Sequence, residues 1–353
     1  MPKDRRDFQG TSEPMLAERT DVLVVGAGPA GCALGHLLKS EGVDVAIAEI
    51  RDTRTKDKLC GGIYANAVAG LLDECFGQGT SRALAAHHPG RTEYISLDGS
   101  YCDKTVTNTS PRKEFDGLCL KRYLSAGGRL KDRMRLASID VDRHQATFED
   151  LRTRERVCIS YKTLVGADGV TSTVRFLTAH RHQRMIFTLQ GDVERVRDTI
   201  AFMYRPGSLG YLWYIPYQET AVLGGGFKGE LSSTLRLWLQ EFSDRLNVTC
   251  PTLRGAFVPT GGDIMLAPVS DVYLIGDAAG LIAPGSWGGI HDALKSAKIL
   301  ARALNSGSSF EKDMQQTVAN ITGVSNDLWG YYFSRWLSVA RKKVESTQIT
   351  QDA

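Results

Sequence analysis

Short apolar runs that end in glycine-rich or Gly-Asp turns dominate the hydrophobic pattern of this chain. The runs occupy residues 21–25, 43–48, 164–169 and 272–276. Unbroken apolar runs of this length are typical of strands that are buried on both faces of a parallel sheet. Helix-like stretches follow the first run at residues 29–40 and the last run at residues 289–304. The pattern therefore predicts an α/β fold with strand–helix units of the Rossmann type.

The middle of the chain follows a different pattern. Strand-like runs occupy residues 185–189, 200–204, 210–216 and 221–227, and a helix-like stretch follows at residues 232–246. Several strands with few helices between them are typical of a mixed β-sheet rather than of further strand–helix units. We therefore expect a second domain, built on its own sheet, beside the first.

The two ends of the chain differ from the segments between them. Residues 1–19 are polar, with no apolar stretch typical of a signal peptide, and are predicted to be disordered. Residues 311–353 are predicted to be helical, with an aromatic stripe at helical spacing between residues 329 and 337. Packing on the first domain and weak contact with a membrane surface are both open for this stripe. No apolar window is long enough to predict a membrane span.

Charge and cysteine content exclude several classes of protein. The net charge is +3, from 43 basic and 40 acidic residues, which is too balanced to indicate a nucleic-acid partner. The seven cysteines are scattered and form no Cys-x-x-Cys pair. This spacing favours neither a disulfide framework nor a metal site, so no metal is predicted, and it suits a reducing cytoplasm.

The glycines after the first apolar run carry the clearest chemical signal. Gly26, Gly28 and Gly31 form a G-x-G-x-x-G pattern at the start of a predicted helix that includes Ala30. In this pattern the glycines permit a tight turn, close approach of a pyrophosphate, and packing of helix on strand. The second run ends at Glu49, where a carboxylate accepts hydrogen bonds from a ribose. A dinucleotide site is therefore predicted, and Arg51 is predicted to contribute to it.

Two later motifs favour FAD over NAD. One apolar run ends at Asp168, and another ends at Gly276 and Asp277 before a helix that begins near Gly289 and Ile290. A simple NAD site needs neither motif, whereas the ribityl chain of FAD needs an acceptor such as Asp277. The helix start is predicted to face the flavin, where its partial positive charge stabilises an anionic reduced ring.

The order of these three motifs resembles that of flavoproteins of the glutathione reductase type, in the para-hydroxybenzoate hydroxylase structural class. The resemblance implies that an arginine at a helix start contacts FAD, and Arg112 matches this pattern; a solvated charge is the alternative. It also implies that a strand residue near Leu136 contacts the adenine through its backbone.

We therefore expect a discontinuous FAD-binding domain and a separate substrate domain. The FAD-binding domain is predicted from residues 20–75, 108–182 and 265–310, and the substrate domain from residues 76–107 and 183–264.

A cysteine loop indicates the branch of this class. The segment Lys58-Leu59-Cys60-Gly61-Gly62-Ile63 resembles the K-P-C-G-G-G signature of the geranylgeranyl reductase family, with leucine in place of proline and isoleucine in place of the third glycine. The resemblance implies that Cys60 and Gly61 lie against the flavin and that Cys60 gives or relays a proton. A small buried cysteine that only packs is the alternative.

An aromatic strand also resembles this family. Tyr211 and Trp213 match its Y-x-W-x-F-P segment, with Ile215 in place of the phenylalanine, and the three residues share one face of a strand. They are predicted to line an apolar substrate pocket, with ordinary sheet packing as the alternative. The family's P-x-T-G-E-G-I segment is altered, because Trp287 replaces a glycine beside the flavin and is expected to reshape the pocket. His291, just inside the following helix, is a candidate proton donor, with a capping role equally open.

The sequence therefore predicts an FAD-dependent oxidoreductase. Its reaction is expected to be reduction of a carbon–carbon double bond in an apolar, isoprenoid-like or polyketide-like substrate, by hydride transfer from flavin N5. The alternative is a monooxygenase or halogenase that acts through a flavin C4a-peroxide, since one fold supports both chemistries. No second G-x-G-x-x-G occurs, so the electrons are expected from transiently bound NAD(P)H or from a donor protein.

Overall fold

The computed structural model describes residues 17–96, 99–105, 107–205 and 207–326. Its strands are β1 (Ala17–Val25), β2 (Val45–Glu49), β3 (Ile63–Ala65), β4 (Arg91–Ser96), β5 (Gly99–Lys104), β6 (Thr107–Thr109), β7 (Arg129–Asp132), β8 (Met134–Asp140), β9 (Gln145–Asp150), β10 (Arg156–Gly166), β11 (Met185–Glu194), β12 (Thr199–Met203), β13 (Gly210–Pro216), β14 (Thr220–Phe227), β15 (Arg254–Pro259) and β16 (Val272–Leu274). Its helices are α1 (Pro29–Ser40), α2 (Ala67–Phe76), α3 (Thr80–Ala83), α4 (Arg112–Ser125), α5 (Thr173–Ala179), α6 (Ser232–Leu246), α7 (Ile290–Ser306) and α8 (Phe310–Asn326), with a 3-10 turn at Gly276–Ala279.

The first sheet joins strands that are far apart in the sequence. Its order is β7-β2-β1-β10-β9-β8, and β16 also pairs with β10. The central pairs β2–β1, β1–β10 and β10–β16 are parallel, so their carboxyl ends meet at one edge. The strand β2 is buried along its whole length, as its unbroken apolar run predicts. The helices α1 and α7 pack against each other beside this sheet.

The second sheet is antiparallel except at one pair. Its order is β15-β11-β14-β13-β12-β4-β5, and β12 and β4 are parallel. One face packs on α6 through a core that includes Leu212, Tyr214 and Phe242. The opposite face carries Tyr211, Trp213 and Ile215, which belong to a separate apolar cluster. This second face is the one that meets the cysteine loop.

The predicted α/β class, with a Rossmann-like sheet and a mixed second sheet, is confirmed. The two domain assignments stay predictions. The disorder predicted for residues 17–19 is wrong, because these residues begin β1 and pair with β10. The family resemblance implied a strand near Leu136, which is β8, whereas β7 and β9 on either side of it were not expected, because this ribbon is largely polar or exposed and gives no apolar run. The predictions for residues 1–16 and for the aromatic stripe at 329–337 lie outside the described residues.

Among the described helices, none has the combination of length and apolarity that a membrane span requires.

Candidate functional site

The turn between β1 and α1 is fixed by two glycines that have no room for a side chain. Gly26 has φ +105°, and a Cβ built on it would lie 2.4 Å from the carbonyl oxygen of Ala167. A Cβ on Gly31 would lie 2.0 Å from the carbonyl oxygen of Gly26. The Gly26 amide also donates to the Ala48 carbonyl at 2.8 Å. The start of α1 is therefore held at the carboxyl edge of the first sheet.

The amino terminus of α1 has no side-chain cap. Gly28 is the residue before the helix, and Pro29 occupies the first helical position, where its missing N–H costs nothing. A Cβ built on Gly28 would meet no atom within 4 Å, so the backbone is open to a ligand at this point. Ala30 and Gly31 are buried in the first turn. Free amides and the helix dipole make such an end a site for a phosphate group.

Glu49 ends β2 beside this helix terminus and is 5% exposed. Its Oε2 accepts hydrogen bonds from the Ala27 amide at 2.8 Å and from Lys56 Nζ at 2.7 Å. Its Oε1 accepts from the Arg51 amide at 3.0 Å. Burial alone would raise the pKa of Glu49, but the Lys56 ammonium and the two amides hold it below its ordinary value. The carboxylate is therefore ionised at neutral pH and able to accept from ribose hydroxyls.

Asp277 is a second, partly buried carboxylate at the same edge of the sheet, with its side chain 14% exposed. A Cβ on Gly289, the residue before α7, would lie 2.7 Å from Asp277 Oδ1, so carboxylate and helix start are adjacent. Its Oδ2 accepts from Lys58 Nζ at 2.6 Å. Burial raises the pKa of Asp277, but Lys58 and then Arg112 lower it below its ordinary value. Gly276, with φ +57°, brings this turn within van der Waals distance of Ala30.

The predicted cofactor residue Asp168 is occupied by local hydrogen bonds. Its carboxylate accepts from the Ser172 hydroxyl at 2.5 Å and from the Thr173 and Val174 amides at 2.7 and 3.1 Å, at the start of α5. Burial raises the pKa of Asp168, although these donors act in the opposite direction. Its first role is therefore to cap α5 and hold the turn that abuts Gly26.

These features fit FAD. An uncapped helix start with an open Gly28, flanked by the carboxylates of buried Glu49 and partly buried Asp277, supplies partners for a pyrophosphate and for two sets of hydroxyl groups. The start of α7 lies beside Asp277, and Ile290 in its first turn is buried.

The loop after Lys58 lies between β13 of the second sheet and the backbone at Ser110, just before α4. A Cβ on Gly61 would lie 2.2 Å from Ile215 Cδ1, so the loop backbone touches the aromatic face of β13. Gly62 has φ +60°, and a Cβ there would lie 2.0 Å from the carbonyl oxygen of Ser110. Glycine is required at Gly62, where φ is positive and the obstacle is backbone, whereas a side chain at Gly61 would displace the end of the Ile215 side chain. Cys60 is partly exposed at the start of this contact.

Arg112 faces the Cys60 thiol, a contact that the spacing of the sequence does not reveal. The guanidinium is 5% exposed and forms a two-pronged ion pair with Asp116, with distances of 2.8 and 3.0 Å. Burial opposes its charge, but the Asp116 carboxylate and Cys60 raise the pKa of Arg112 above its ordinary value. A fixed positive charge therefore stands beside the cysteine.

The cysteine loop also contacts an aromatic cluster, formed by Tyr211, Trp213 and Trp287 together with Ile215. The rings of Tyr211 and Trp287 stack with centroids 4.6 Å apart, and Trp213 meets both edge-on. The Tyr211 hydroxyl donates to the Ser286 carbonyl at 2.5 Å. Trp287 has φ +54°, a conformation that L side chains rarely adopt, so the stack is held at some cost in backbone strain. The four predicted pocket residues, including Ile215, therefore belong to one cluster.

Three further predicted residues belong to neither the cysteine loop nor the aromatic cluster. Arg51 is exposed, and its side chain donates to the Asp57 carbonyl at 3.0 Å. Leu136 is buried in β8, next to a register shift. His291 is 44% exposed in the first turn of α7 and pairs with Asp292 at 3.0 Å. No hydrogen bond among the described residues joins His291 to the cysteine loop.

Sequence reasoning missed four residues that touch the site. Lys56 and Lys58 contact the two carboxylates, and Gln190 and Tyr217 contact the cysteine loop. Only Tyr217 had a usable signal, because it continues the alternation of residues 211, 213 and 215.

Loss of Lys56 is expected to destabilise the flavin-free protein in a pH-dependent way. Lys56→Met leaves Glu49 buried without its ammonium partner, which costs about 3 kcal/mol at neutral pH. The folded-state pKa of Glu49 is depressed below its ordinary value of 4.5, so this stabilisation is present above that value and is lost as the pH falls through the folded-state pKa. The free energies of unfolding of the parent protein and of Lys56→Met, measured in urea, should therefore differ at neutral pH and converge in acid.

The control for this experiment is Lys121→Met, which changes an exposed lysine on α4. An equal loss of stability at neutral and acidic pH would contradict the assignment of the effect to the Glu49 carboxylate.

Comparison with known proteins places these features in a family. The FAD binding domain family matches residues 19–198, half of the chain. The digeranylgeranylglycerophospholipid reductase of Methanococcus aeolicus is 24% identical over 308 residues, which cover 82% of this chain and 77% of the relative. The predicted resemblance to geranylgeranyl reductases is thereby confirmed.

Solved structures agree on the fold. A geranylgeranyl bacteriochlorophyll reductase-like protein of Thermoplasma acidophilum superposes with a TM-score of 0.75 at 20% identity, covering 91% of this chain and 88% of that chain. The p-nitrophenol 4-monooxygenase of Pseudomonas putida superposes with a TM-score of 0.71 at 16% identity, covering 94% and 93%. Reductases and monooxygenases therefore share this architecture. From the matched domain, the chain belongs to the FAD-binding domain family and is an FAD-dependent oxidoreductase.

Proposed function

We propose that this protein reduces a carbon–carbon double bond in an apolar, isoprenoid-like or polyketide-like substrate. The observation that carries the proposal is the contact between the Cys60–Gly61 loop and the aromatic face of β13, where a Cβ built on Gly61 would lie 2.2 Å from Ile215 Cδ1. An apolar wall and a thiol therefore meet at one place. A substrate that has no polar group to bind is recognised by such a wall.

FAD is proposed to lie along the carboxyl edge of the first sheet. The start of α1, with Gly26, Gly28, Ala30 and Gly31, would hold the pyrophosphate. Glu49 would accept from the adenosine ribose, Asp277 from the ribityl chain, and the start of α7 at Gly289 and Ile290 would face the flavin ring. When bound, FAD supplies the two electrons of the reduction.

Cys60 is proposed to give the proton that completes the reduction. Its thiol lies beside the Arg112 guanidinium, which the Asp116 carboxylate fixes in place. The thiolate left after proton transfer is stabilised by this adjacent positive charge. Arg112 thereby contributes to the site through Cys60, in addition to the cofactor contact implied by the family resemblance. His291, which is half-exposed and paired with Asp292, is the second candidate for the proton donor.

The aromatic cluster is proposed to exclude water and to orient the double bond. Tyr211, Trp213 and Trp287 contact one another, and all three lie within or against the same apolar cluster. Because Trp287 stacks on Tyr211, this pair forms one edge of the apolar wall. The substrate is expected to enter past the pair. The reductant is proposed to be NAD(P)H that binds transiently, or a donor protein, because the sequence has no second dinucleotide motif.

The test is product analysis after a single turnover. The protein is reduced in the absence of oxygen and mixed with a panel of polyunsaturated isoprenoid and polyketide-like compounds. The masses of the products are then measured by mass spectrometry. A product that has gained two hydrogen atoms is expected, and its formation should not need oxygen. A product that forms only when oxygen is admitted, and that has gained an oxygen or halogen atom, would contradict the proposal and favour a monooxygenase or halogenase.

A further inference from the structure

We propose that Gln190 and Tyr217 are positioning residues for Cys60, and that Trp213 orients Gln190. The two side chains bind the backbone carbonyl groups of the cysteine loop from the second sheet. The inference rests on the proposed function, in which Cys60 is the group that gives the proton. It extends that function from the thiol to the hydrogen bonds that decide where the thiol lies.

Gln190 connects the aromatic wall to the loop. The Trp213 indole N–H donates to Gln190 Oε1 at 3.1 Å, and Gln190 Nε2 donates to the Cys60 carbonyl at 3.3 Å. Because an indole nitrogen only donates, it fixes which end of the amide faces it and leaves the NH₂ group for Cys60. Gln190 is 5% exposed, so its amide has little competition from water. The orientation of this side chain is therefore set by the protein.

The glycine run of β14 makes this connection possible. Gly224 lies between Trp213 and Gln190 in the sheet, paired with both. A Cβ on Gly224 would lie 2.7 Å from the Trp213 ring. The missing side chain therefore lets the indole lie across β14 and reach the next strand.

Tyr217 holds the neighbouring peptide. Its hydroxyl donates to the Gly61 carbonyl at 3.2 Å and lies 3.5 Å from the Cys60 carbonyl. Its own amide donates to the Thr220 carbonyl at 2.8 Å, which anchors the residue at the end of β13. Burial raises the pKa of Tyr217, so the phenol remains a donor at every pH of interest.

The opposite side of the loop is fixed as well. The Ser110 amide donates to the Gly62 carbonyl at 3.0 Å, and Arg112 follows at the start of α4, where it faces the thiol. The loop is thus held by the second sheet on one side and by the start of α4 on the other. A change in the Trp213–Gln190 contact is therefore transmitted to the position of Cys60.

The test measures how fast N-ethylmaleimide modifies Cys60 in the FAD-loaded protein, by mass spectrometry of the modified peptide. Cys102 and Cys250, which are exposed or partly exposed, are first replaced by serine, whereas the other four described cysteines are buried. Gln190→Leu and Tyr217→Phe are expected to speed the modification about five-fold, because a released loop exposes the thiol.

A pH profile separates positioning from general loosening. In Gln190→Glu, the ionised carboxylate still accepts from Trp213 but cannot donate to Cys60, whereas the protonated acid does both. At about pH 9, Cys60 in Gln190→Glu should be modified faster than in the parent protein. At about pH 5.5, where a buried glutamate is protonated, the two rates should be equal. In Gln190→Leu, Cys60 should be modified faster than in the parent protein at both pH values.

The matched control is Thr188→Val, which removes a hydrogen bond to the Ala256 carbonyl from the same face of β11. It should leave the modification rate unchanged. Parent-like rates in Gln190→Leu and Tyr217→Phe, or a Gln190→Glu rate without the pH change, would overturn the proposal. Since the assay uses no substrate, this failure is distinguishable from failure of the proposed reaction.

Discussion

Replacing Gly28 with alanine is expected to weaken FAD binding by about 100-fold, or about 2.7 kcal/mol, while leaving the free energy of unfolding of the flavin-free protein unchanged. Gly28 has φ −84° and ψ −178°, which alanine adopts without strain. A Cβ there would meet no protein atom within 4 Å. The added methyl group would instead stand between the start of α1 and the pyrophosphate, where close approach of the backbone is needed. Flavin fluorescence titration and urea unfolding measure the two effects.

Two other glycines make the comparison specific. Gly70→Ala, in α2, also places a Cβ in open space and should leave FAD affinity unchanged. Gly31→Ala places a Cβ 2.0 Å from the Gly26 carbonyl oxygen and should lower stability as well as affinity. Undiminished FAD affinity in Gly28→Ala would show that the pyrophosphate lies elsewhere.

Replacing Cys60 with alanine or serine should slow the reduction of substrate about 100-fold, because a positioned proton donor contributes about that factor or more. FAD should remain bound, since the cofactor contacts proposed at α1, Glu49 and Asp277 do not involve the thiol. Serine keeps the size of the side chain but is a far weaker acid, so it should restore little. The measurement is the anaerobic rate at which substrate reoxidises the reduced protein.

Cys102→Ser is the control, because Cys102 is exposed on β5. Turnover at the parent rate in Cys60→Ala would reduce Cys60 to a packing residue. In that case the search for the proton donor would move to His291 or to water.

The sequence predicted the parts of the fold that depend on local pattern. The glycines around Gly28, the burial of β2 and the shared face of Tyr211, Trp213 and Ile215 all follow from spacing within one segment. The helix α6 was predicted at its observed bounds for the same reason. Local periodicity determines such features, so no knowledge of the partner strands is needed.

The contacts that complete the site depend on register between distant segments. Trp213 reaches Gln190 across the sheet because β11 and β13 both pair with β14 at Gly224. The contact of Arg112 with Cys60 requires that the start of α4 and the cysteine loop lie side by side. Asp168 was assigned to the cofactor by its motif, whereas its nearest partners are the Ser172 hydroxyl and the start of α5. Pairing across more than a hundred residues is not encoded in the spacing of any one motif.

The long-range parallel pairing of the first sheet bears on how the protein is made. Val22 of β1 pairs with Thr163, and Leu164 of β10 pairs with Val272. On a ribosome, β1 therefore waits for β10, and β10 then waits through the synthesis of β11 to β15 before its partner β16 is made. Contacts this far apart form slowly and leave apolar edges exposed in the interval. We expect flavin capture to be among the last events in the biogenesis of this chain, and chaperones to protect it until then.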